Sequence, residues 1–454
     1  MTTLKPEKAP SARMLAFDAL YNIFEKDAYA NITIQNILKN YSVKKEEKHL
    51  LTEIIYGVCR KYNYLLWIVG KLSKIPIHKL HPTVRILLLM GLYQLIFLDR
   101  IPESAAVNET VKISKKITHI GNSRFINGVL RSYLRQKENF LLPDKTKNRI
   151  LYGSLAYNEP EWLIRFWEKD SGIERTEHVL GILNEIPLVC IRVNVLKISI
   201  EEIKQKFVES GILAEPVPYL KEAFYIHKGM ENIFSDFLEN GWVYIQSASS
   251  MLPSVILNPT QGEKVLDMCA APGSKTTHMA AMMNNEGHID AWDLYSHKIE
   301  LIKGNAKRLG ISIIRAGVRD STVPAPDLNG VYDKVLLDAP CSGLGVLGHK
   351  VELRWRRTEE SLAEFPPLQK ALLRRASEYV RPGGIIVYST CTLNKMENEH
   401  IIQEFLNENN NFEPVEFEVK GIGTSENGML TLYPDIIKSD GFFISKLRKI
   451  KNET

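Results

Sequence analysis

From residue 240 to residue 450, short apolar runs alternate with stretches of helical periodicity, and that alternation leaves few folds open to the chain. Strands such as 335–337 and 385–389 are apolar on both sides, so they need cover on both faces; a parallel sheet flanked by helices supplies it. Residues 239–454 are therefore expected to form a Rossmann-like α/β domain. In such sheets ligands sit in the crevice beyond the carboxyl ends of the strands, so chemistry should gather there.

The rest of the chain reads differently. Residues 11–140 are helical throughout: Met14, Leu15, Phe17, Leu20, Ile23 and Phe24 form a broad apolar stripe, and like patterns recur over 50–72, 84–98 and 107–117. An all-α bundle over 1–140 follows. The polar stretch 135–149, which contains Pro143, reads as a linker. A helix near 162–167, a strand over 188–194, a helix over 200–210 and a strand near 223–227 make 141–238 a small α+β domain. The apolar run 86–98 is interrupted by Gln94 and falls short of the roughly 20 residues a bilayer needs, so it reads as a buried helix. Residues 1–13 show no apolar leader core, which points to the cytoplasm and away from membranes.

Charge is divided unevenly. Residues 1–140 hold 22 Lys and Arg against 11 Asp and Glu, or +11, so a total of +5 leaves −6 for the remainder. A polyanion such as nucleic acid is drawn to the first third. Cys59, Cys190, Cys269, Cys341 and Cys391 form an odd set with no C-x-x-C pair, which argues against a disulfide framework and against a bound metal. Cys59 and Cys190 read as small buried hydrophobes.

The strand 264–268 runs into Cys269, Ala270, Ala271, Pro272, Gly273, Ser274 and Lys275, and then into a helix. Small residues at a strand-to-helix turn admit a ligand close to the backbone, and the helix start offers free N–H groups. The next strand, 288–293, ends in Asp293, 20 positions after Gly273, where a carboxylate can accept both hydroxyls of a ribose. Asp320, after a strand over 312–316, is a candidate for an adenine amino group. The turn is neither G-x-G-x-x-G nor a Walker loop, which weighs against NAD and ATP.

Two further strands run into Asp338-Ala339-Pro340-Cys341-Ser342-Gly343 and into Thr390-Cys391-Thr392, so two thiols and a carboxylate converge on the ligand crevice. Carbon 5 of cytosine is a weak nucleophile. A thiolate that adds at carbon 6 turns the ring into an enamine able to take a methyl group from a sulfonium. One cysteine must attack, and the other can help the carbon 5 proton leave. Asp338 suits a hydrogen bond to ring N3 and the exocyclic amine.

These motifs, Val265 to Thr276, Asp338 to Gly343 and Tyr388 to Thr392, resemble those of the Nol1/Nop2/Sun (Fmu) RNA cytosine-C5 methyltransferases. Gln246-Ser247-Ala248-Ser249-Ser250-Met251 and Asp440-Gly441-Phe442-Phe443 resemble the family's segments before the cofactor strand and at its closing hairpin. The resemblance implies S-adenosylmethionine as cofactor, bound by residues 269–275 with Asp293, Asp320 and Asp338. It also implies Cys391 as nucleophile and Cys341 as the group that assists release. DNA cytosine methyltransferases use the Pro-Cys cysteine instead, and the swapped assignment is the mechanistic alternative. The first third resembles the NusB antiterminator bundle, a fusion found in bacterial family members acting on a cytosine of unassembled 16S rRNA. That makes 16S rRNA the expected partner and a monomer the expected state. Gly348 to Trp355 lacks a Pro and one Arg of the family pattern, and the Asp320 segment aligns only with a one-residue shift. The rival readings are a non-catalytic RNA-binding or antitermination factor, and methylation of transfer RNA or large-subunit rRNA.

Overall fold

The structure is a computed structural model that describes residues 10–451; residues 1–9, on which most of the leader reading rests, lie outside them. The described chain divides into two compact units. One holds the described residues through Asn184 together with His349–Thr358, and the other holds Glu185–Gly348 and the described residues from Glu359 onward.

The first unit is all helical. Its centre is the helix Pro82–Phe97, which buries ten residues including Ile86, Leu87, Leu88 and Leu89, because its apolar residues run all round the cylinder. Leu15, Leu20 and Ile23 of helix Ala12–Glu25 and Leu51, Ile54 and Ile55 of Lys45–Arg60 pack in the same core. The apolar pattern over 50–72 predicts one helix, but two form, Lys45–Arg60 and Tyr62–Leu72. Asn158 occupies the break: its Oδ1 accepts from Asn63 N at 2.8 Å and its Nδ2 donates to Cys59 O at 3.0 Å. A partner from 95 residues away decides that end, and no local pattern carries it. The expected linker is also structured in part. Helix Ile120–Gln136 runs into it, and Phe140 is buried in the helical core. Helices Arg149–Ala156, Glu161–Ser171 and Ile173–Leu183, all within the 141–238 range assigned from sequence to the small α+β domain, group with this unit.

Besides a two-stranded ribbon of Glu418–Val419 with Gly423–Thr424, the second unit carries two sheets. The smaller is antiparallel, in the order Leu213–Pro216, Ala223–Lys228, Val189–Val193, Val243–Ile245. Helix Ile200–Glu209, opened by a Ser199–Glu202 capping box, packs Ile203 and Phe207 into a core with Ile191, Val193 and Phe224. In the larger sheet Ile314–Val318, His288–Asp293, Lys264–Asp267, Tyr332–Asp338 and Val380–Thr390 lie side by side and parallel. Alternate residues face opposite ways. Leu336 and Val387 pack with Met251 and Met279 on one side, while Leu337 and Tyr388 pack with Leu372 and Ile402 on the other. The sheet is mixed and not wholly parallel: Phe442–Lys449 runs antiparallel to Val380–Thr390 and pairs in turn with Met429–Leu432 and Phe412–Pro414.

Candidate active site

The turn after Lys264–Asp267 is held against the neighbouring strand. Ala270 N donates to Trp292 O at 2.8 Å, Gly273 N to Ala270 O at 2.7 Å, and Asn305 Nδ2 to Pro272 O at 2.9 Å. Gly273 has φ +97°, and a Cβ there would lie 3.3 Å from Ile302 Cα, so glycine alone suits the step into helix Ser274–Met282. The Ala271–Pro272 bond is cis. Asp293 meets this turn directly: its Oδ2 accepts from Ala271 N at 3.3 Å and its Oδ1 pairs with Lys298 Nζ at 3.1 Å. Cys269 lies at the start of the turn, and burial pushes its thiol up. Asp320 is turned back on its own loop, where Oδ1 accepts from Thr322 N at 2.9 Å and Thr322 Oγ1 at 2.6 Å; these bonds hold its carboxyl below the usual range. Its neighbour Ser321 ties that loop to the end of strand Lys264–Asp267 by donating to Met268 O at 2.9 Å.

Lys275 leaves the turn for a different partner. Its Nζ donates to Asp338 Oδ2 at 2.6 Å, and Ser389 Oγ donates to Asp338 Oδ1 at 2.8 Å. Asp338 ends the strand Tyr332–Asp338, in register with Ser389, so Cys341 and Cys391 emerge from adjacent strand ends. Their sulfurs are 3.3 Å apart and neither is in a disulfide. The hydrogen bond shared with Cys391 and burial push the Cys341 thiol well up, with the charges of Cys391 and Glu397 adding to them. Gly345 laces the two loops to the closing strand: its N donates to Cys391 O at 3.0 Å and its O accepts from Gly441 N at 2.8 Å. A Cβ on Gly345 would sit 2.2 Å from Gly441 O, which excludes any side chain.

Several residues that sequence reading passed over support these groups. Asp267 is buried; Thr276 Oγ1 donates to its Oδ2 at 2.7 Å, its Oδ1 has no protein partner, and burial pushes its carboxyl up to about 7. Arg192 of the small sheet reaches Gln246 Oε1 at 2.5 Å, Ser274 O at 2.7 Å and Thr277 Oγ1 at 2.9 Å, and burial brings its guanidinium down to about 10. It thereby braces the first turn of helix Ser274–Met282. The strand positions of Asp267, Asp293 and Asp338 are visible in sequence, whereas the Arg192 link spans 82 residues and has no local signal. The orphaned Asp267 oxygen and the Asp293 carboxylate suit a ligand that brings hydroxyls and positive charge, as S-adenosylmethionine does.

The segment after the Pro-Cys motif has another use. Residues 349–358 belong to the helical unit: Val351 is in its core, and Trp355 packs against Phe24 and Tyr62 with centroids 5.1 Å and 4.9 Å away. Arg354 is fully buried, with Nε 2.7 Å from Glu159 Oε1 and Nη2 2.7 Å from Leu183 O. The arginine that this stretch retains is thus part of a packed core.

The model of the 16S rRNA methyltransferase RsmB/F family matches residues 254–448, that of the NusB family matches 10–135, and that of the RsmF/B-like ferredoxin-like domain matches 159–231. The chain is similar to the probable ribosomal RNA small subunit methyltransferase B of Synechocystis sp., at 37% identity over 97% of this chain and 99% of that protein. To the protein of the same description from Bacillus subtilis it is 34% identical, over 97% and 99% of the two chains. Among solved structures, PH0851 covers 98% of this chain and 100% of its own, with 28% identity and a TM-score of 0.83.

Proposed function

Since the chain belongs to the RsmB/F family of 16S rRNA methyltransferases, we propose that it moves a methyl group from S-adenosylmethionine to carbon 5 of a cytosine in 16S rRNA, through a covalent bond from Cys391 to carbon 6. The observation that carries this reading is the 3.3 Å approach of two unbridged thiols beside Asp338. Such a pair serves a reaction that needs one sulfur to bond and another to manage a proton.

S-adenosylmethionine, when bound, supplies an electrophilic methyl group on a positively charged sulfur. The turn 269–275 and Asp293 would hold it, with Asp320, whose Oδ1 is taken by Thr322, offering Oδ2 toward the adenine, and Asp338 at the edge shared with the base. Cys391 adds as thiolate to carbon 6, which places electron density on carbon 5 and lets it take the methyl. Asp338, pinned by Lys275 and Ser389, accepts from the exocyclic amine and orients the ring at N3. The carbon 5 proton then leaves, directly or through water toward Cys341, and the bond to Cys391 breaks. The first 140 residues, at +11, supply affinity for RNA and no chemistry.

The test is to supply the protein with unassembled 16S rRNA and S-adenosylmethionine and to map the product by bisulfite sequencing. One protected cytosine supports the reading. Methyl transfer to another atom or another base, or to transfer RNA alone, overturns it.

A further inference from the structure

Glu397 is fully buried, on the single turn Lys395–Glu397 that follows the Thr-Cys loop, and four donors converge on its carboxylate. Ser342 N and Gln369 Nε2 donate to Oε2 at 2.8 and 3.1 Å; Ser342 Oγ and Asn394 Nδ2 donate to Oε1 at 2.5 and 2.9 Å. Ser342 directly follows Cys341. Gln369 also donates to Pro340 O, on the other side of Cys341, at 2.9 Å. Ser342 Oγ lies 2.8 Å from Thr392 Oγ1, which directly follows Cys391. An ionised carboxylate only accepts, so the Ser342 hydroxyl must give its proton to Glu397 and take one from Thr392. A directed chain therefore runs from the residue beside Cys391, through the residue beside Cys341, to one buried carboxylate.

We propose that Glu397 is the positioning residue that sets the distance between the Cys341 and Cys391 sulfurs, and through it the hand-over from attack to release. The part about hand-over rests on the methyl-transfer reading above; the part about distance does not. The Ser342 backbone N–H is spent on this carboxylate, and charge-assisted bonds to a buried carboxylate are strong and geometrically strict. The turn that carries Glu397 is itself anchored, since Tyr388 OH donates to Glu397 O at 2.6 Å and Asn398 bonds both Thr390 Oγ1 and Thr392 O. The carboxylate charge also acts on Cys341, as one of the influences that raise its thiol.

The distance is read without RNA or cofactor by treating the full chain with diamide, which takes up both thiol protons and two electrons as the sulfurs join. Wild type should form the Cys341–Cys391 disulfide readily. Glu397→Gln removes the charge and turns a donor toward donors already there, and should slow closure by about tenfold or more, the loss of one charge-assisted bond. Glu397→Asp should recover part of the rate. Arg354→Met, which destabilises the helical unit, should leave it unchanged and so separates positioning from loss of fold. Should Glu397→Gln fail to fold, Ser342→Ala keeps the carboxylate and cuts only the hydroxyl chain, and should slow closure by a smaller factor. A wild-type closure rate in Glu397→Gln, or in Ser342→Ala where that variant stands in, overturns the proposal. With RNA and cofactor, Glu397→Gln should lower kcat with little change in KM. Absence of any RNA adduct in Cys341→Ala while closure still depends on Glu397 would refute the methyl-transfer reading and leave the distance claim standing.

Discussion

Lys275 and Asp338 form an ion pair of 2.6 Å that joins the turn 269–275 to the strand of the Pro-Cys motif, and Lys275 is almost wholly buried. Without the ammonium, the carboxylate would keep Ser389 as its side-chain donor among the described residues. Lys275→Met should therefore lower methyl transfer by about tenfold to a hundredfold, the value of a charge-assisted bond in a sheltered site. Single-turnover rates with saturating cofactor measure it; an unchanged rate would remove the pair from the reaction.

Asp293 has Ala271 N and Lys298 Nζ as partners and is buried at the end of its strand. Asp293→Ala should weaken S-adenosylmethionine binding by roughly tenfold or more, since a carboxylate bonded to ribose hydroxyls contributes about 1.5–3 kcal/mol. Calorimetry on the full chain reads this directly. Equal affinity would exclude Asp293 from the site.

Arg354 and Glu159 are both fully buried, and burial pushes the Glu159 carboxyl up to about 7 even with Arg354 beside it. Arg354→Met strands that carboxyl and should cost about 3–5 kcal/mol in the helical unit, seen as a lower midpoint in chemical denaturation. For the same reason a chain begun near Glu161 removes Phe24 and Tyr62 from around Trp355, so it should aggregate and not behave as an isolated catalytic domain.

His278, in helix Ser274–Met282, is 2.8 Å from Glu222 and buried; burial first, and Arg192 second, bring it down to about 4. The unfolded chain takes up this proton near pH 6.5, while the folded one resists until about pH 4. Stability should thus be full above the unfolded value and be lost as pH falls toward 4, by roughly 3 kcal/mol. The depressed Glu222 carboxyl adds loss in the same direction at the acid end. Denaturation midpoints at pH 7.5 and 5 should differ less in His278→Leu than in wild type; an equal difference contradicts the assignment.

The helical character of the first third, the strand His288–Asp293 and the two cysteine motifs are legible in sequence because each rests on local periodicity or on adjacent residues. The strand before Asp320 is displaced, Ile314–Val318 where apolar pattern gives 312–316, because edge pairing with His288–Asp293 sets its register. Asn158 in the helix break, Arg192 against Ser274 and Glu397 between the cysteine loops carry no such signal. Their partners are 95, 82 and 55 residues away, and only the folded chain brings them together. The insertion of 349–358 into the helical unit is hidden for the same reason, although Val351, Leu353 and Trp355 already stand out as apolar residues in a stretch rich in charge.

The most direct test of the central claim is a denaturing gel of protein incubated with labelled 16S rRNA and S-adenosylmethionine, run for the two cysteine variants side by side. Without Cys391 no bond to carbon 6 forms, so Cys391→Ala should show neither methylation nor adduct. Cys341→Ala keeps attack and transfer but slows release, so it should accumulate protein joined to methylated RNA. An adduct in Cys391→Ala that disappears in Cys341→Ala would reverse the roles of the two cysteines, and full activity in both would contradict covalent catalysis.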